Sequence, residues 1–202
     1  EVANTRLFQQ ATQANLVGTE IGTFNDRPRD TLRDAALTQS VVNLQNADHI
    51  RLGLAGTLRD YVLQDKDGQR REGFRFSQSA YAGDPADIIN YVDKHDNETL
   101  WDKLQYGLDA SLTVTERVRA QNVAIAIPLM SQGIPFLQLG GDFLRSKSMD
   151  RDSYDSGDWF NFVDFTYQTN NWAVGLPLAE KNEASWENIA RLFLNRETKA
   201  ES

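Results

Sequence analysis

The sequence predicts an α/β fold with a parallel sheet. Short runs rich in β-branched and apolar residues lie at residues 21–25, 88–92 and 134–139. Segments with helical periodicity separate these runs at intervals of about 45 to 65 residues, and connections of that length suit parallel strands joined by crossover helices. Long polar segments follow the runs, so we expect binding residues at the ends of the strands.

The first strand leads into a helix start, because Pro28 suits the first turn of a helix. Further along, Asn46 or Asp48 is expected to cap a helix whose apolar stripe runs from Leu54 to Val62. A turn is predicted at residues 65–68 (Asp-Lys-Asp-Gly), followed by an exposed loop or a short hairpin over 69–82.

The second half of the chain is more regular. Leu100 and Leu104 share one face of a short helix. Thr113 and Glu116 have the spacing of a capping box before a long helix over 115–130. The many apolar side chains at 123–130 predict burial on more than one side of this helix, and the strand at 134–139 is predicted to be buried as well.

A polar loop is expected over residues 140–184, before a last helix with Trp186, Ile189, Ala190 and Phe193 at helical spacing. In a (β/α) barrel, the loops that follow the strands build the active site. Three strands cannot close a barrel, so the sequence predicts part of one.

Composition excludes several classes of protein. Acidic residues outnumber basic residues by 29 to 21, which argues against binding to nucleic-acid phosphates. There are no cysteines, so disulfides, thiolate catalysis and cysteine-ligated zinc are excluded. No run reaches the roughly 18 apolar residues of a membrane span. The charge balance and this lack of a span together predict that neither nucleic acid nor a membrane is a partner. Composition does not assign a compartment.

His95 and Asp96 form the most informative pair, because they follow the second predicted strand directly. A carboxylate at that position can accept hydrogen bonds from hydroxyl groups and oppose a developing positive charge. Capping of the helix that begins near Glu98 is the structural alternative. His49 is expected to be a surface or packing residue.

Several stretches carry a family resemblance. Residues 91–102 (Tyr-Val-Asp-Lys-His-Asp-Asn-Glu-Thr-Leu-Trp-Asp) resemble the fourth characteristic region of the α-amylase superfamily, in a form similar to pullulanases and plant-type limit dextrinases. Further similar stretches lie at 48–63, 144–161 and 170–177. They occur in the order of the debranching enzymes, and the stretch at 144–161 resembles that group specifically.

The resemblance implies a retaining glycosidase on a (β/α)8 barrel, which uses a nucleophile, an acid/base and a third carboxylate. Asp96 matches the third carboxylate, and His95 matches a residue that contacts the same sugar. Glu1 and Val2 match the tail of a stretch that follows the acid/base. We therefore expect 1–202 to be a truncated catalytic domain, about strands 6 to 8, with both remaining carboxylates upstream of Glu1.

Arg151 and Asp152 match substrate-contacting residues of pullulanases, one glucose unit from the cleavage position. An Arg can donate and an Asp can accept from neighbouring sugar hydroxyls. An internal ion pair that only fixes the loop is the alternative. Trp159 and Trp172 are candidates either for stacking on sugar rings or for packing. Asp155, Asp158 and Asn161 are expected to order the loop.

The expected substrate is a branched α-glucan such as pullulan, a limit dextrin or amylopectin, cleaved at α-1,6 linkages. Isoamylase-like specificity, another α-glucan activity and a non-catalytic glucan-binding role are the alternatives. No metal ligand is predicted, calcium stays open as a cofactor, and the chain alone is expected to be inactive.

Overall fold

The computed structural model describes residues 10–37 and 43–200, and the chain divides into two compact units. Within the described residues, the first unit contains 10–31, 43–91 and 127–136, and the second contains 32–37, 92–126 and 137–200.

The first unit contains mainly short elements. They are β1 (Thr23–Asn25), α1 (Asp26–Thr31), α2 (Leu44–Leu54), β2 (Val62–Gln64), β3 (Arg70–Glu72), α3 (Gly73–Phe76), the 3₁₀-helix Pro85–Asp87, β4 (Ile88–Asn90) and β5 (Ile134–Pro135).

The second unit is largely helical. It begins with a π-helical turn, Leu32–Ala36, and continues with α4 (Leu100–Gly107), most of α5 (Val114–Met130), α6 (Ala179–Asn182) and α7 (Trp186–Leu194). Short 3₁₀-helices lie at Gly141–Phe143, Ser153–Asp155, Asp158–Asn161, Glu183–Ser185 and Arg196–Thr198.

The predicted parallel sheet is confirmed. Its three strands are ordered β1-β4-β5, and both pairs are parallel, with Thr23 opposite Ile88 and Ile89 opposite Ile134. The third strand is shorter than predicted and ends at Pro135. Proline has no N–H to donate to a neighbouring strand, which limits the pairing here.

The predicted cap of α2 is wrong. Asn43 caps this helix, because its Oδ1 accepts from the N–H groups of Gln45 (2.9 Å) and Asn46 (3.4 Å). Asp48 lies inside the helix, and its carboxylate accepts from the N–H of Lys66 at 2.7 Å.

The apolar stripe predicted to extend α2 is also wrong. The helix ends at Leu54, and Gly56 takes a left-handed backbone conformation with φ +78°, which does not continue a helix. Val62 belongs to β2 instead. The apolar residues from Leu54 to Val62 have helical spacing in the sequence, but they belong to the end of α2, the following turn and β2.

The predicted turn at 65–68 is confirmed, and it joins β2 to β3. The exposed loop or short hairpin predicted over 69–82 is wrong, because this stretch contains β3 followed by the helix α3. Strands β2 and β3 pair antiparallel, with Leu63 opposite Arg71. Asp65 Oδ1 accepts from the N–H groups of Asp67 (3.0 Å) and Gln69 (2.9 Å), so one carboxylate orders the turn.

His49 on α2 packs against Phe76, with ring centroids 5.0 Å apart. It is therefore a packing residue, one of the two roles that the sequence predicted for it.

The end of β4 is tied to α1 within the first unit. Tyr91 is completely buried, its hydroxyl donates to Asp26, and it accepts from Arg29 at 2.7 Å. Arg29 also pairs with Asp26 (3.1 Å) and Asp30 (2.7 Å). These contacts fix the chain just before it enters residues 92–97.

The long helix has the predicted start. Glu116 accepts from the N–H of Thr113 at 2.8 Å, and Thr113 Oγ1 accepts from the N–H of Glu116 at 3.3 Å, which is the capping box. Arg117 is almost fully buried and donates to Gln105 Oε1 on α4 at 2.8 Å. The core of the second unit contains Trp101, Leu144 and Ala200, with Val114, Val118 and Trp172 packed against it.

The burial predicted for 123–139 is wrong. Helix α5 buries one face there, with Ala124 and Pro128, while Met130 is 76% exposed. The following segment is exposed too, with Ile134 at 46% and Leu139 at 59%. An apolar surface of this kind is typical of a region that another part of a protein covers.

Candidate functional site

The start of α4 is capped by Thr99 and Asp93, and not by His95 or Asp96. Thr99 is the N-cap, and its Oγ1 accepts from the N–H of Asp102 at 3.2 Å. Asp93 Oδ2 accepts from the first N–H of the helix at 2.9 Å. Capping therefore does not explain His95 or Asp96.

Asp93 is a structural carboxylate that the sequence reasoning missed. Only 4% of the residue is exposed, and burial raises the pKa of its carboxyl to about 6 against the opposing pull of the α4 N–H and Arg33. Its position directly after a strand and seven residues before the helix gave no local signal. A loop cap of this kind becomes visible only once the chain is folded.

Asp96 lies in the opposite environment. Its side chain is 50% exposed, Oδ2 is 2.6 Å from Lys94 Nζ, and Oδ1 is 3.3 Å from His95 Nε2. The hydrogen bond from Lys94 holds the pKa of the Asp96 carboxyl below its usual range, with smaller contributions from His95 and Lys147. The carboxylate is therefore charged and accessible at mildly acidic and neutral pH.

Arg151 approaches the same segment from the long loop. Its Nη2 donates to Asn97 Oδ1 at 3.0 Å, and Asn97 has a left-handed backbone with φ +61°. Asp152 makes no ion pair with Arg151 in the described structure, and its N–H donates to Asp150 Oδ1 at 2.9 Å. The alternative of an internal Arg–Asp pair is therefore wrong. A binding role for the two side chains stays a prediction.

A second buried carboxylate organises the long loop. Asp102 is completely buried and accepts from Ser146 Oγ (2.5 Å) and from the N–H groups of Lys147 (2.8 Å) and Met149 (3.2 Å). Burial raises the pKa of Asp102 to about 6 in spite of these donors. The Thr99-x-x-Asp102 spacing was the available sequence signal, since it marks a helix start.

Lys147 is an unusual buried cation. It is 1% exposed, and its Nζ has no hydrogen-bond partner among the described residues. Burial lowers the pKa of Lys147, while the negative charges of Asp102 and Asp150 act in the opposite direction. Two opposing influences therefore act on this amine, burial and the neighbouring carboxylates.

The two candidate tryptophans differ. Trp159 is 61% exposed, and its indole lies so close to Gly157 that a side chain there would collide with the ring. Trp172 packs edge-on against Phe193 with centroids 5.0 Å apart, so packing is its role. Stacking on a ligand stays open for Trp159 alone.

The loop-ordering residues are confirmed in part. Asn161 accepts from Ser153 Oγ and donates to Ser153 O, both at 2.8 Å. Asp155 pairs with Lys181 at 2.5 Å. For Asp158 no such bond is seen in the described structure, and the side chain is exposed.

In the described part of the chain, no cluster of three or more His, Asp or Glu side chains is arranged to hold a metal ion. Among the same residues, no helix is both long enough and apolar enough to cross a membrane. The predicted match at Glu1 and Val2 lies outside the described residues.

The arrangement suits a ligand rich in hydroxyl groups. Asp96 offers a charged acceptor to solvent, while the exposed His95 and Arg151 side chains offer donors. Paired acceptors and donors are what neighbouring sugar hydroxyls require.

Comparison with known proteins gives a consistent result. The chain is 41% identical to the pullulanase of Klebsiella pneumoniae and 40% identical to the chloroplastic pullulanase 1 of Arabidopsis thaliana, over 92% and 94% of its length. A solved structure of the Klebsiella pneumoniae pullulanase in complex with maltotriose matches 93% of the chain with a TM-score of 0.86 and 41% identity.

The chain spans only about a fifth of these relatives, namely 20% and 23% of the two sequences and 21% of the solved chain. No family model matches it. The ordered likeness across nearly the whole chain, at two-fifths identity and with the same local fold, nevertheless leaves one assignment: this chain belongs to the pullulanase family.

Proposed function

We propose that the complete gene product hydrolyses α-1,6 branch linkages in α-glucans by a retaining mechanism. The observation that carries this proposal is Asp96: a charged, half-exposed carboxylate without a capping role, in a chain that belongs to the pullulanase family. The maltotriose in the related structure supports an α-glucan as the ligand class.

In this proposal Asp96 stabilises the oxocarbenium-like transition state. Its negative charge opposes the positive charge that develops on the sugar ring, and its oxygens accept from ring hydroxyls that tighten their bonds as the ring distorts. Lys94 keeps the carboxylate ionised and oriented at 2.6 Å. His95 is proposed to contact the same sugar.

Arg151 and Asp152 are proposed to bind the neighbouring glucose unit. The hydrogen bond from Arg151 to Asn97, the residue after Asp96, supports a location beside the cleavage position. Arg151 is exposed and donates one N–H to Asn97. Its other N–H groups can therefore donate to sugar hydroxyls.

The nucleophile and the acid/base are proposed to come from other parts of the complete protein, since the matched segment covers only 20% and 23% of the two relatives. We further propose that β1, β4 and β5 are the sixth, seventh and eighth strands of a (β/α)8 barrel. Their parallel pairing in chain order supports this interpretation.

The test compares the complete gene product with the 202-residue chain. The complete protein should hydrolyse pullulan and branched dextrins, and the isolated chain should not, because loss of nucleophile and acid/base costs many powers of ten in rate. Turnover by the repurified chain would contradict the proposed division of roles. Cleavage of amylopectin without pullulan would instead indicate the isoamylase-like alternative.

The exposed apolar segment allows a second test. If other barrel elements cover residues 123–139, the isolated chain should bind a hydrophobic dye and melt without a sharp transition, as loosely packed states do. The complete protein should not bind the dye. A cooperative, dye-free melt of the isolated chain would contradict the proposed barrel.

A further inference from the structure

The buried carboxylate of Asp102 has no role in the proposed chemistry, yet it accepts three hydrogen bonds from the loop that carries Arg151. Asp102 accepts from Ser146 Oγ at 2.5 Å and from the N–H groups of Lys147 and Met149 at 2.8 and 3.2 Å. Ser146 Oγ in turn accepts from the N–H of Ser148 at 2.8 Å. One carboxylate thus binds three groups within residues 146–149.

The backbone that Asp102 holds is one the chain does not adopt easily. Ser148 and Met149 have φ +53° and +65°, which L-residues rarely take, and they do so in succession. Both residues are buried, at 0% and 1% exposure. Such a conformation persists only where surrounding contacts over-determine it. Asp102 supplies two of these contacts through the N–H groups of Lys147 and Met149, and Ser148 Oγ adds a hydrogen bond to Gly175 O at 2.6 Å.

The held segment runs directly into the proposed binding pair. Asp150 is fully buried, accepts from the N–H of Asp152 at 2.9 Å, and accepts from the hydroxyl of Ser156. Arg151 then reaches Asn97 at 3.0 Å. The loop is therefore attached to α4 through Asp102 on one side of Arg151, and to the Asp96 segment through Arg151 itself.

We propose that Asp102 is a positioning residue: it fixes the loop over 146–149 so that Arg151 is presented to a glucose unit next to the cleavage position. This inference rests on the proposed function. It extends that function to a residue that touches neither substrate nor the reacting atoms, and it predicts an effect on substrate affinity that passes through Arg151.

The experiment is a double-mutant cycle in the complete gene product, with KM and kcat measured on a branched α-glucan oligosaccharide. Asp102→Asn keeps the shape, removes the charge and turns one acceptor into a donor facing bound N–H groups. We expect KM to rise about tenfold or more, kcat to change by less, and amide hydrogen exchange at Lys147 and Met149 to accelerate.

The decisive arm adds Asp102→Asn to Arg151→Ala. If Asp102 acts through Arg151, the added rise in KM should shrink to less than about twofold, because residues in one network are not additive. Full multiplication of the two effects would overturn the inference and leave Asp102 with a general structural role. An unchanged KM in Asp102→Asn would overturn it as well.

Two further variants keep the test interpretable. Asp109→Asn is the matched control, since Asp109 binds the N–H and hydroxyl of Ser111 at 2.8 and 2.7 Å and makes no bond to the loop; its KM should stay unchanged. Ser146→Ala removes one of the three contacts and serves if Asp102→Asn does not fold. It should give a smaller rise in KM with the same dependence on Arg151.

Failure of the inference and failure of the proposed function are distinguishable. Arg151→Ala by itself tests the binding pair, and a normal KM in that variant would overturn both the pair and the role of Asp102. The proposed transition-state role of Asp96 is tested separately by kcat and would stand unaffected.

Discussion

Two polar regions of the second unit are built in opposite ways: the segment over residues 94–97, which faces solvent, and the loop over 146–150, which is buried. Asp96 in the first is half exposed and pairs with Lys94, whereas Ser146, Ser148 and Asp150 in the second are fully buried. Burial of the loop is tolerated because most of its polar groups have hydrogen-bond partners, and Asp102 binds three of them. The Nζ of Lys147, which has no partner among the described residues, is an exception.

The two carboxylates that serve these regions, Asp96 and Asp102, differ correspondingly in pKa. A cation beside an exposed carboxyl lowers its pKa, while burial raises the pKa of the other to about 6. The difference separates two uses of the same chemical group. The exposed carboxylate of Asp96 is accessible to a ligand, whereas the buried carboxylate of Asp102 binds groups of the protein itself.

The largest expected effect concerns Asp96→Asn in the complete gene product. The variant keeps the shape but loses the charge that, in the proposed mechanism, opposes the oxocarbenium ion, so kcat should fall by about two to four powers of ten. The free energy of unfolding should hardly change, because the side chain is half exposed. Steady-state kinetics and a denaturant melt measure the two quantities.

Asp155→Asn is the matched control for this prediction, since Asp155 is also a half-exposed carboxylate paired with a lysine. Its kcat should remain normal. If Asp96→Asn and Asp155→Asn behave alike, the contrast between a ligand-facing and a structural carboxylate loses its support.

The next effect is on stability. In the complete gene product, Asp102→Ala leaves three buried donors without an acceptor. Because hydrogen bonds to a buried charged group are strong, the free energy of unfolding should fall by about 3 kcal/mol. Asp96→Ala should change it by less than about 0.5 kcal/mol. Urea unfolding of both variants checks the difference, and equal losses would contradict the division between the two regions.

A pH dependence follows from the raised pKa of Asp102. The folded protein holds the Asp102 proton up to about pH 6, whereas the unfolded chain releases it near 3.8, so the folded state binds more protons in between. The stability contributed by this group is therefore complete below about pH 4 and is lost as the pH rises through about 6.

Asp102→Asn isolates this contribution, because the amide does not titrate. The wild-type melting temperature minus that of the variant should decrease as the pH rises from about 4 to about 6.5. A difference that grows over the same range would mean that the hydrogen-bond donors, and not burial, dominate at Asp102.

The smallest expected effect is that of Trp159→Ala. With 61% of the residue exposed, the free energy of unfolding should change by about 0.5 kcal/mol or less. Trp172→Ala removes a ring packed on Phe193 and should cost about 3 kcal/mol. A large loss of stability in Trp159→Ala would show that this exposed side chain helps to stabilise the buried loop over 146–150.

The outcome for α2 and α5 shows how far periodicity carries. The capping box at Thr113 and Glu116 specified the start of α5, because both partners lie within one turn. The stripe from Leu54 to Val62 failed, because apolar spacing cannot distinguish one helix from a helix followed by a strand. Local chemistry was predictable, whereas the grouping of residues into elements was not.

The candidate site divides in the same manner. His95 and Asp96 were identified by their position after a strand and by a family resemblance. Asp93 and Asp102 were missed, because their partners lie 7 to 47 residues away along the chain. Their role depends on contacts that no local pattern encodes.

By itself, the sequence determined the α/β class, the parallel strand runs, the capped helix, the turn at 65–68 and the family of the chain, since each rests on local propensity or on ordered motifs. The tertiary structure alone decided which carboxylate is exposed and charged and which is buried, and thereby which side chains remain open to a ligand. It also decided that many apolar residues at 123–139, such as Met130 and Leu139, are exposed. Burial is a property of everything that surrounds a residue, so it is settled only when distant parts of the chain meet.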